Sequence, residues 1–165
     1  MEEHREYVLR ALRAHDAAAA AALIRTAFAA QSVATDPPPS ALRETADSVA
    51  ASLAAPDQGG VGAWVGEALA GCAIWQVQER GLYLGRLSVH PAWRGRGIAP
   101  ALLGALEAVA RARGQARLLL STRLVLADNR RLFARCGFVE TAQHAHPGYA
   151  DPTFVDMEKA LAGDG

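Results

Sequence analysis

One short turn in this sequence combines glycines and arginines in a spacing suited to binding phosphate. The turn reads Arg94-Gly95-Arg96-Gly97-Ile98-Ala99 and joins an apolar run, 82–89, to a helical run, 98–113. The first N–H groups of a helix lack internal partners, and the helix dipole adds partial positive charge there. Glycine lets the backbone approach an anion closely, and arginine adds charge-assisted hydrogen bonds. The turn therefore predicts a phosphate-binding site.

The spacing of the turn separates three kinds of phosphate motif. A P-loop needs a lysine after its last glycine, and the only lysine here is the distant Lys159, so a P-loop is excluded. The dinucleotide fingerprint fits poorly, because Pro100 stands where its last small residue belongs. A third pattern, Arg/Gln-x-x-Gly-x-Gly/Ala, is met by Arg94, Gly97 and Ala99. This turn resembles the acetyl-CoA pyrophosphate loop of the GNAT superfamily of N-acetyltransferases, as does the preceding Leu87-Ser88-Val89-His90-Pro91.

A second segment strengthens the resemblance. Asn129, Phe133 and Gly137-Phe138 match a pattern common in GNAT proteins. The resemblance implies that Asn129 bonds the amides of the pantetheine arm and that Phe133, one helical turn later, lines the same wall. A helix-capping Asn129 and a core Phe133 are the structural alternative. The Phe133 position is commonly Tyr, which resembles the acid for the departing thiolate, so Tyr149 or solvent must replace that acid here.

The reaction implied by the resemblance needs an oxyanion donor, a base and an acceptor site. The backbone N–H of Val89 is the implied donor to the developing negative charge. The strand 82–89 contains no carboxylate, and the bases left open are Glu79, Glu140, His144 and His146. If Arg86 and Arg123 face the cleft they favour a carboxylate-bearing amine, and His146 is a further candidate substrate-binding residue. His144-x-His146 lacks the other ligands of a metal shell, so no metal site is expected.

The hydrophobic pattern predicts the elements that position these residues. Asp16 is expected to cap a helix over 17–30, and Ser40 a helix over 41–54. Ile98, Leu102, Leu106 and Val109 recur at helical spacing and predict a buried stripe. A short helix is expected to start at Asp128 or Asn129. The predicted strands are 7–12, 61–65 and 72–77 around a turn at 66–71, then 82–89, 117–121, one from 137 and one over 154–157.

Composition restricts the class of protein. The 165 residues suit one domain, 1–165, and 51% of them are hydrophobic. The net charge of +0 argues against a nucleic-acid binder and against attraction to anionic membranes. Two separated cysteines, Cys72 and Cys136, indicate reduced thiols, and Met1 to Arg5 has no signal layout, so a cytoplasmic location is expected.

Together these features predict an α/β fold with a mixed central β-sheet flanked by helices. The GNAT resemblance implies an N-acetyltransferase with acetyl-CoA as co-substrate and a small-molecule or peptide amine as acceptor, in a family that is often homodimeric. A catalytically silent acyl-CoA-binding sensor is the alternative, because the usual Tyr and strand Glu are missing.

Overall fold

The computed structural model describes residues 6–162, so the segment Met1 to Arg5 considered above lies outside the described part. A seven-stranded sheet has the order β1-β2-β3-β4-β5-β7-β6, and every neighbouring pair is antiparallel except β4 and β5. The strands are β1 Val8–Ala11, β2 Gln58–Val65, β3 Ala68–Gln78, β4 Gly81–Val89, β5 Arg117–Arg123, β6 Val139–His144 and β7 Phe154–Ala160. The helices are α1 Ala17–Ala29, α2 Ala46–Ala54, α3 Ile98–Ala112 and α4 Ala127–Arg135. This confirms the mixed α/β fold.

The helices cover the two faces of the sheet. One buried cluster joins α1 and α2 to Trp64 and Cys72, and the other joins α3 to Ala63 and Ala73, which are the sequence neighbours of those two residues. Since successive strand residues point to opposite faces, the clusters lie on opposite sides of the sheet. Ile98, Leu102 and Leu106 are at most 1% exposed, and Val109 packs partly buried against them, which confirms the predicted stripe.

The second helix differs from the prediction. Ser40 starts only a short 3-10 turn, Ser40–Arg43, and α2 begins at Ala46. Thr45 is the N-cap: its hydroxyl accepts from the Ser48 amide at 3.1 Å, and the Ser48 hydroxyl accepts from the Thr45 amide at 2.9 Å. This reciprocal capping box satisfies two amides that a continuous helix from Ala41 would not need to cap. The prediction of one helix over 41–54 was therefore wrong, and Glu44 stands between two elements.

Two smaller boundaries also differ. The turn predicted over 66–71 contains only Gly66 and Glu67, because Ala68 to Gly71 pair with β2. Asp16 precedes α1 as expected, but its carboxylate accepts from the Arg13 amide at 2.8 Å and makes no capping bond to α1. Asp16 therefore closes the turn before the helix.

Strand β4 is irregular where it leaves β5. Ile74 pairs with Gly85 and Cys72 with Ser88, so Arg86 and Leu87 together face the single residue between Cys72 and Ile74. This is a β-bulge, and Arg86 has φ 55° within it. Strands β4 and β5 pair only at Leu82–Leu118 and Tyr83–Leu119. The sheet therefore opens beyond Tyr83.

Within residues 6–162, no helix has both the length and the apolar character needed to cross a bilayer.

Candidate active site

The opening between β4 and β5 forms a cleft of about 580 Å³. That volume lies in the range of small-ligand sites. The wall includes Leu84 to Leu87 of β4 and Leu120 to Arg123 of β5. Distant segments complete it, with Phe28, Ser40, Glu44, Asn129, Phe133, His146 and Phe154 among the lining residues.

The backbone of Val89 presents a donor on the opened side of β4. The His90 amide donates to the Ala70 carbonyl at 2.8 Å. Hydrogen-bonded and non-hydrogen-bonded pairs alternate along an antiparallel ladder, so the Gly71–Val89 pair is of the second kind. The Val89 N–H therefore faces away from β3, toward the side on which β5 has separated. Val89 itself is not among the cleft-lining residues, whereas Leu87 is.

The side chain of Ser88 is buried beside the β-bulge of β4. It is 2% exposed, and its hydroxyl donates to the Arg86 carbonyl at 2.9 Å. Its side chain therefore helps to hold the bulge.

The predicted phosphate turn has an open backbone surface. Gly95 and Gly97 have φ values of 77° and 80°, and a Cβ built on either would meet no atom within 4 Å. Gly97 is the N-cap of α3, whose first bond runs from the Ala101 amide to the Gly97 carbonyl. Pro100 has no N–H, so Ile98 and Ala99 supply the first free amides of the helix. This open turn fits a bulky anion such as a pyrophosphate.

The arginines of the turn are held by the protein. Arg94 donates to the Ala27 and Ala30 carbonyls, both at 3.4 Å, at the end of α1. Arg96 forms an ion pair with Glu6 at 2.7 Å and lies over the Trp93 ring. The open surface of the turn is therefore mainly backbone.

Asn129 and Phe133 lie together on the cleft wall. The N-cap of α4 is Leu126, so the capping alternative for Asn129 is wrong, and the helix begins earlier than predicted. The Asn129 side chain is half-buried and makes no hydrogen bond within residues 6–162. Phe133 is 6% exposed and packs edge-on against Phe138. Phe133 is thus both a core residue and a cleft residue, and Asn129 has a free amide in the cleft.

The structure does not bring Tyr149 into the cleft. Its hydroxyl donates to Asp36 Oδ1 at 2.6 Å, and this hydrogen bond raises the pKa of Tyr149. Tyr149 lies next to two lining residues, His146, whose ring centroid is 6.3 Å away, and Arg123. A hydroxyl held by a carboxylate is a poorer proton donor, so the geometry does not favour Tyr149 as the acid.

The three candidate acceptor residues all line the cleft. Arg86 donates to Glu44 Oε1 at 3.1 Å and to the Ser40 hydroxyl at 2.9 Å. Arg123 donates to the Pro37 carbonyl at 2.6 Å. The His146 ring packs edge-on against Phe154, and its Nδ1 contacts the Thr153 hydroxyl. Burial lowers the pKa of His146, and the nearby Arg123 adds to this effect.

The other suggested bases are occupied elsewhere. Arg130 binds both carboxylate oxygens of Glu140 and so lowers the pKa of Glu140, while His144 contacts Asp156 at 2.7 Å. Neither of these residues nor Glu79 lines the cleft. Glu44 is the carboxylate on the wall, and sequence reasoning missed it. The Thr45-x-x-Ser48 capping box was the available signal, because it starts α2 after Glu44 and so leaves Glu44 outside the helix.

Within residues 6–162, no three potential metal-ligating side chains are grouped in a way that could hold an ion.

Comparison with known proteins identifies a family model and several solved structures that this chain resembles. Residues 22–138 match the model of the acetyltransferase (GNAT) family. The fold is similar to the ribosomal-protein-S18-alanine N-acetyltransferase of Escherichia coli, with TM-score 0.73, 23% identity and coverage of 96% of this chain and 97% of that chain. Nourseothricin acetyltransferase is similar with a TM-score of 0.71 and 25% identity, over 94% of this chain and 99% of that chain. An N-acetyltransferase from Thermoplasma acidophilum, solved with coenzyme A, has a TM-score of 0.73 and 18% identity, over 94% of this chain and 99% of that chain. A search of curated proteins found no match.

Proposed function

Because the chain belongs to the GNAT acetyltransferase family, we propose that it transfers an acetyl group from acetyl-CoA to an amine by direct attack. The observation that carries the proposal is the open glycine turn at the start of α3, next to the strand opening at Val89. The coenzyme A complex of the similar Thermoplasma enzyme supports this choice of donor.

The cofactor-binding residues divide between backbone and side chains. The turn Arg94 to Ala99 holds the pyrophosphate through the free amides of Ile98 and Ala99 and the open faces of the glycines. Leu87, Ser88 and Val89 supply the unpaired edge of β4. Asn129 supplies an amide to the pantetheine arm and Phe133 an apolar wall.

The chemistry is a displacement at the thioester carbonyl. The neutral amine forms the new C–N bond, and negative charge grows on the carbonyl oxygen, where the Val89 N–H stabilises it. The C–S bond then breaks, and the thiolate departs. The proton lost by the amine passes to solvent in the cleft, whose wall carries the carboxylate of Glu44.

The departing thiolate needs no side-chain acid in this proposal. Phe133 has no proton to give, and the Tyr149 hydroxyl is held by Asp36. A thiol is acidic enough for its anion to leave near neutral pH. We expect Tyr149→Phe and Phe133→Tyr to change kcat by less than about threefold, whereas loss of a true general acid costs ~10² or more. A large decrease confined to Tyr149→Phe, measured across pH, would reinstate Tyr149 as the acid.

The proposal is tested by calorimetry with acetyl-CoA and by thiol release with a panel of small amines and peptides. We expect both binding and amine-dependent release. Binding without release from any amine would instead favour the silent acyl-CoA sensor, which the absence of a tyrosine at position 133 makes the second candidate. A homodimer stays a prediction, and sedimentation of the purified protein checks it.

A further inference from the structure

The two arginines on the cleft wall, Arg86 and Arg123, differ in whether a carboxylate pairs with them. Arg86 lies 3.1 Å from a carboxylate oxygen of Glu44, so this pair carries no net charge. Arg123 donates to the neutral Pro37 carbonyl, and no carboxylate oxygen of residues 6–162 lies within 4 Å of its guanidinium nitrogens. A half-buried guanidinium without a paired carboxylate attracts an anionic ligand.

The surroundings of Arg123 leave this positive charge in the cleft. Tyr149 and Asp36 both face Arg123, and the Tyr149 hydroxyl donates to Asp36 Oδ1 at 2.6 Å. Asp36 forms no ion pair with Arg123 and does not line the cleft. Burial and the nearby Arg123 lower the pKa of His146, and both therefore favour the neutral ring. With Glu44 and Arg86 paired, Arg123 is the charged group among the cleft-lining residues that has no ion pair within the described part of the chain.

His146 offers a second donor on the same wall. The Thr153 hydroxyl oxygen accepts from the His146 backbone N–H at 3.0 Å and also contacts Nδ1 of the ring. In the tautomer in which the Thr153 hydroxyl donates its proton to Nδ1, the neutral ring carries its own proton on Nε2. Nε2 makes no hydrogen bond within residues 6–162, so in this tautomer it is a free donor.

We propose that the acetyl acceptor is an amine that also carries a carboxylate, and that Arg123 and the Nε2–H of His146 bind this carboxylate. The inference rests on the proposed acetyl transfer and names its substrate class. The free N–H groups of the Arg123 fork match a carboxylate, and the proton on Nε2 adds a further hydrogen bond. A polycationic acceptor would meet the unpaired guanidinium of Arg123 on the cleft wall and be repelled.

The test uses pairs of amino acids and their primary amides as acceptors, with acetyl-CoA saturating. Amidation also alters the acceptor amine itself, so the ratio of kcat/KM for acid over amide is compared between the native protein and variants, where that difference cancels. We expect the native protein to prefer the acid. Arg123→Gln should lower kcat/KM for the acid at least ~30-fold and for the amide less than ~3-fold. The KM for acetyl-CoA should stay unchanged.

Matched variants separate recognition from folding. Arg80→Gln removes an arginine that pairs with Glu158 outside the cleft, and it should leave the acid-to-amide ratio unchanged. His146→Leu should lower that ratio, while His146→Gln, which keeps a donor, should restore most of it. If Arg123→Gln fails to fold, Arg123→Lys replaces it. This variant keeps the charge and loses the fork, so we expect a smaller loss of kcat/KM for the acid and no loss for the amide.

Two results would overturn the inference. One is a native protein that acetylates amides or polyamines in preference to the acids, which would leave acetyl transfer itself standing. The other is an equal loss for acid and amide in a folded Arg123→Gln, which would give Arg123 the role of positioning the segment at Pro37. Acetyl-CoA binding without transfer to any amine would instead contradict the proposed function and the inference together.

Discussion

At the scale of single residues, the turn before α3 depends on backbone shape more than on charge. Gly97 has φ 80° and open space where a side chain would stand, while the guanidinium groups of Arg94 and Arg96 contact other parts of the protein. The sequence was sufficient to predict the turn, because glycine spacing is local. It was insufficient to predict the partners of the arginines, since Ala27, Ala30 and Glu6 are far away in the chain.

Gly97→Val should weaken acetyl-CoA binding at least ~10-fold, about 1.4 kcal/mol, because the new side chain fills the space above the turn. Gly114→Val is the matched control, with φ 69° and equally open space at the other end of α3. Both variants should lose similar stability, since each places a β-branched residue at positive φ. Calorimetry measures the affinities, and equal affinities for the two folded variants would contradict the assigned role of the turn.

Asn129→Ala should raise the KM for acetyl-CoA several-fold and leave the melting temperature nearly unchanged. The reason is that Leu126 is the N-cap of α4, so removing Asn129 costs no capping bond. Asp128→Ala, on the exposed side of the same helical turn, is the control and should leave the KM unchanged. A melting temperature lowered without any kinetic change would show that the role of Asn129 is structural.

At the scale of elements, the sequence predicted helix boundaries correctly where the periodicity of apolar residues was the one signal present. The apolar stripe predicted the C-terminal end of α3 to within one residue, because a 15-residue helix repeats its buried face several times. In the α2 region Ser40 was the predicted cap, because the periodicity of the apolar residues continues through Thr45. The structure uses Thr45 because its partner Ser48 completes the capping box.

Thr45→Ala should therefore destabilise the protein by about 1 kcal/mol, which lowers Tm by ~2–4 °C in a chain of this size. Ser40→Ala is the comparison, because Ser40 makes no capping bond and is exposed. We expect its Tm to stay within ~1 °C of the native value. Thermal melts followed by circular dichroism measure both Tm values. A larger decrease in Tm for Ser40→Ala than for Thr45→Ala would show that Ser40 caps the helix, as first predicted.

At the scale of the whole molecule, the order of elements was readable but the cleft was not. Arg86, Arg123 and His146 were candidates on separate segments, and only the folded sheet shows that they share one wall with Glu44. No local pattern encodes such a meeting, since these residues are brought together by strand pairing over long sequence distances. Cys72, by contrast, was predicted as a reduced core thiol, and strand pairing and α1 bury it completely.

Cys72 should report on opening of the whole fold. It is fully buried, and burial raises the pKa of its thiol to about 12, so alkylation requires unfolding. In a Cys136→Ser variant the remaining thiol should react slowly, and acetyl-CoA at ~100 times its Kd should slow it ~100-fold. Mass spectrometry with iodoacetamide measures the rate. Fast labelling in the native state, or no effect of acetyl-CoA, would contradict this expectation.

The opening of the sheet beyond Tyr83 also bears on how such a protein can diversify. The glycine turn follows β4 on one side of the opening, whereas Arg123 and His146 lie on or after β5 on the other. Mutations at Arg123 and His146 that change the acceptor can therefore accumulate while the glycine turn stays under separate selection. A new specificity then needs no change in the turn that holds acetyl-CoA, and lineages with one donor can explore many acceptors.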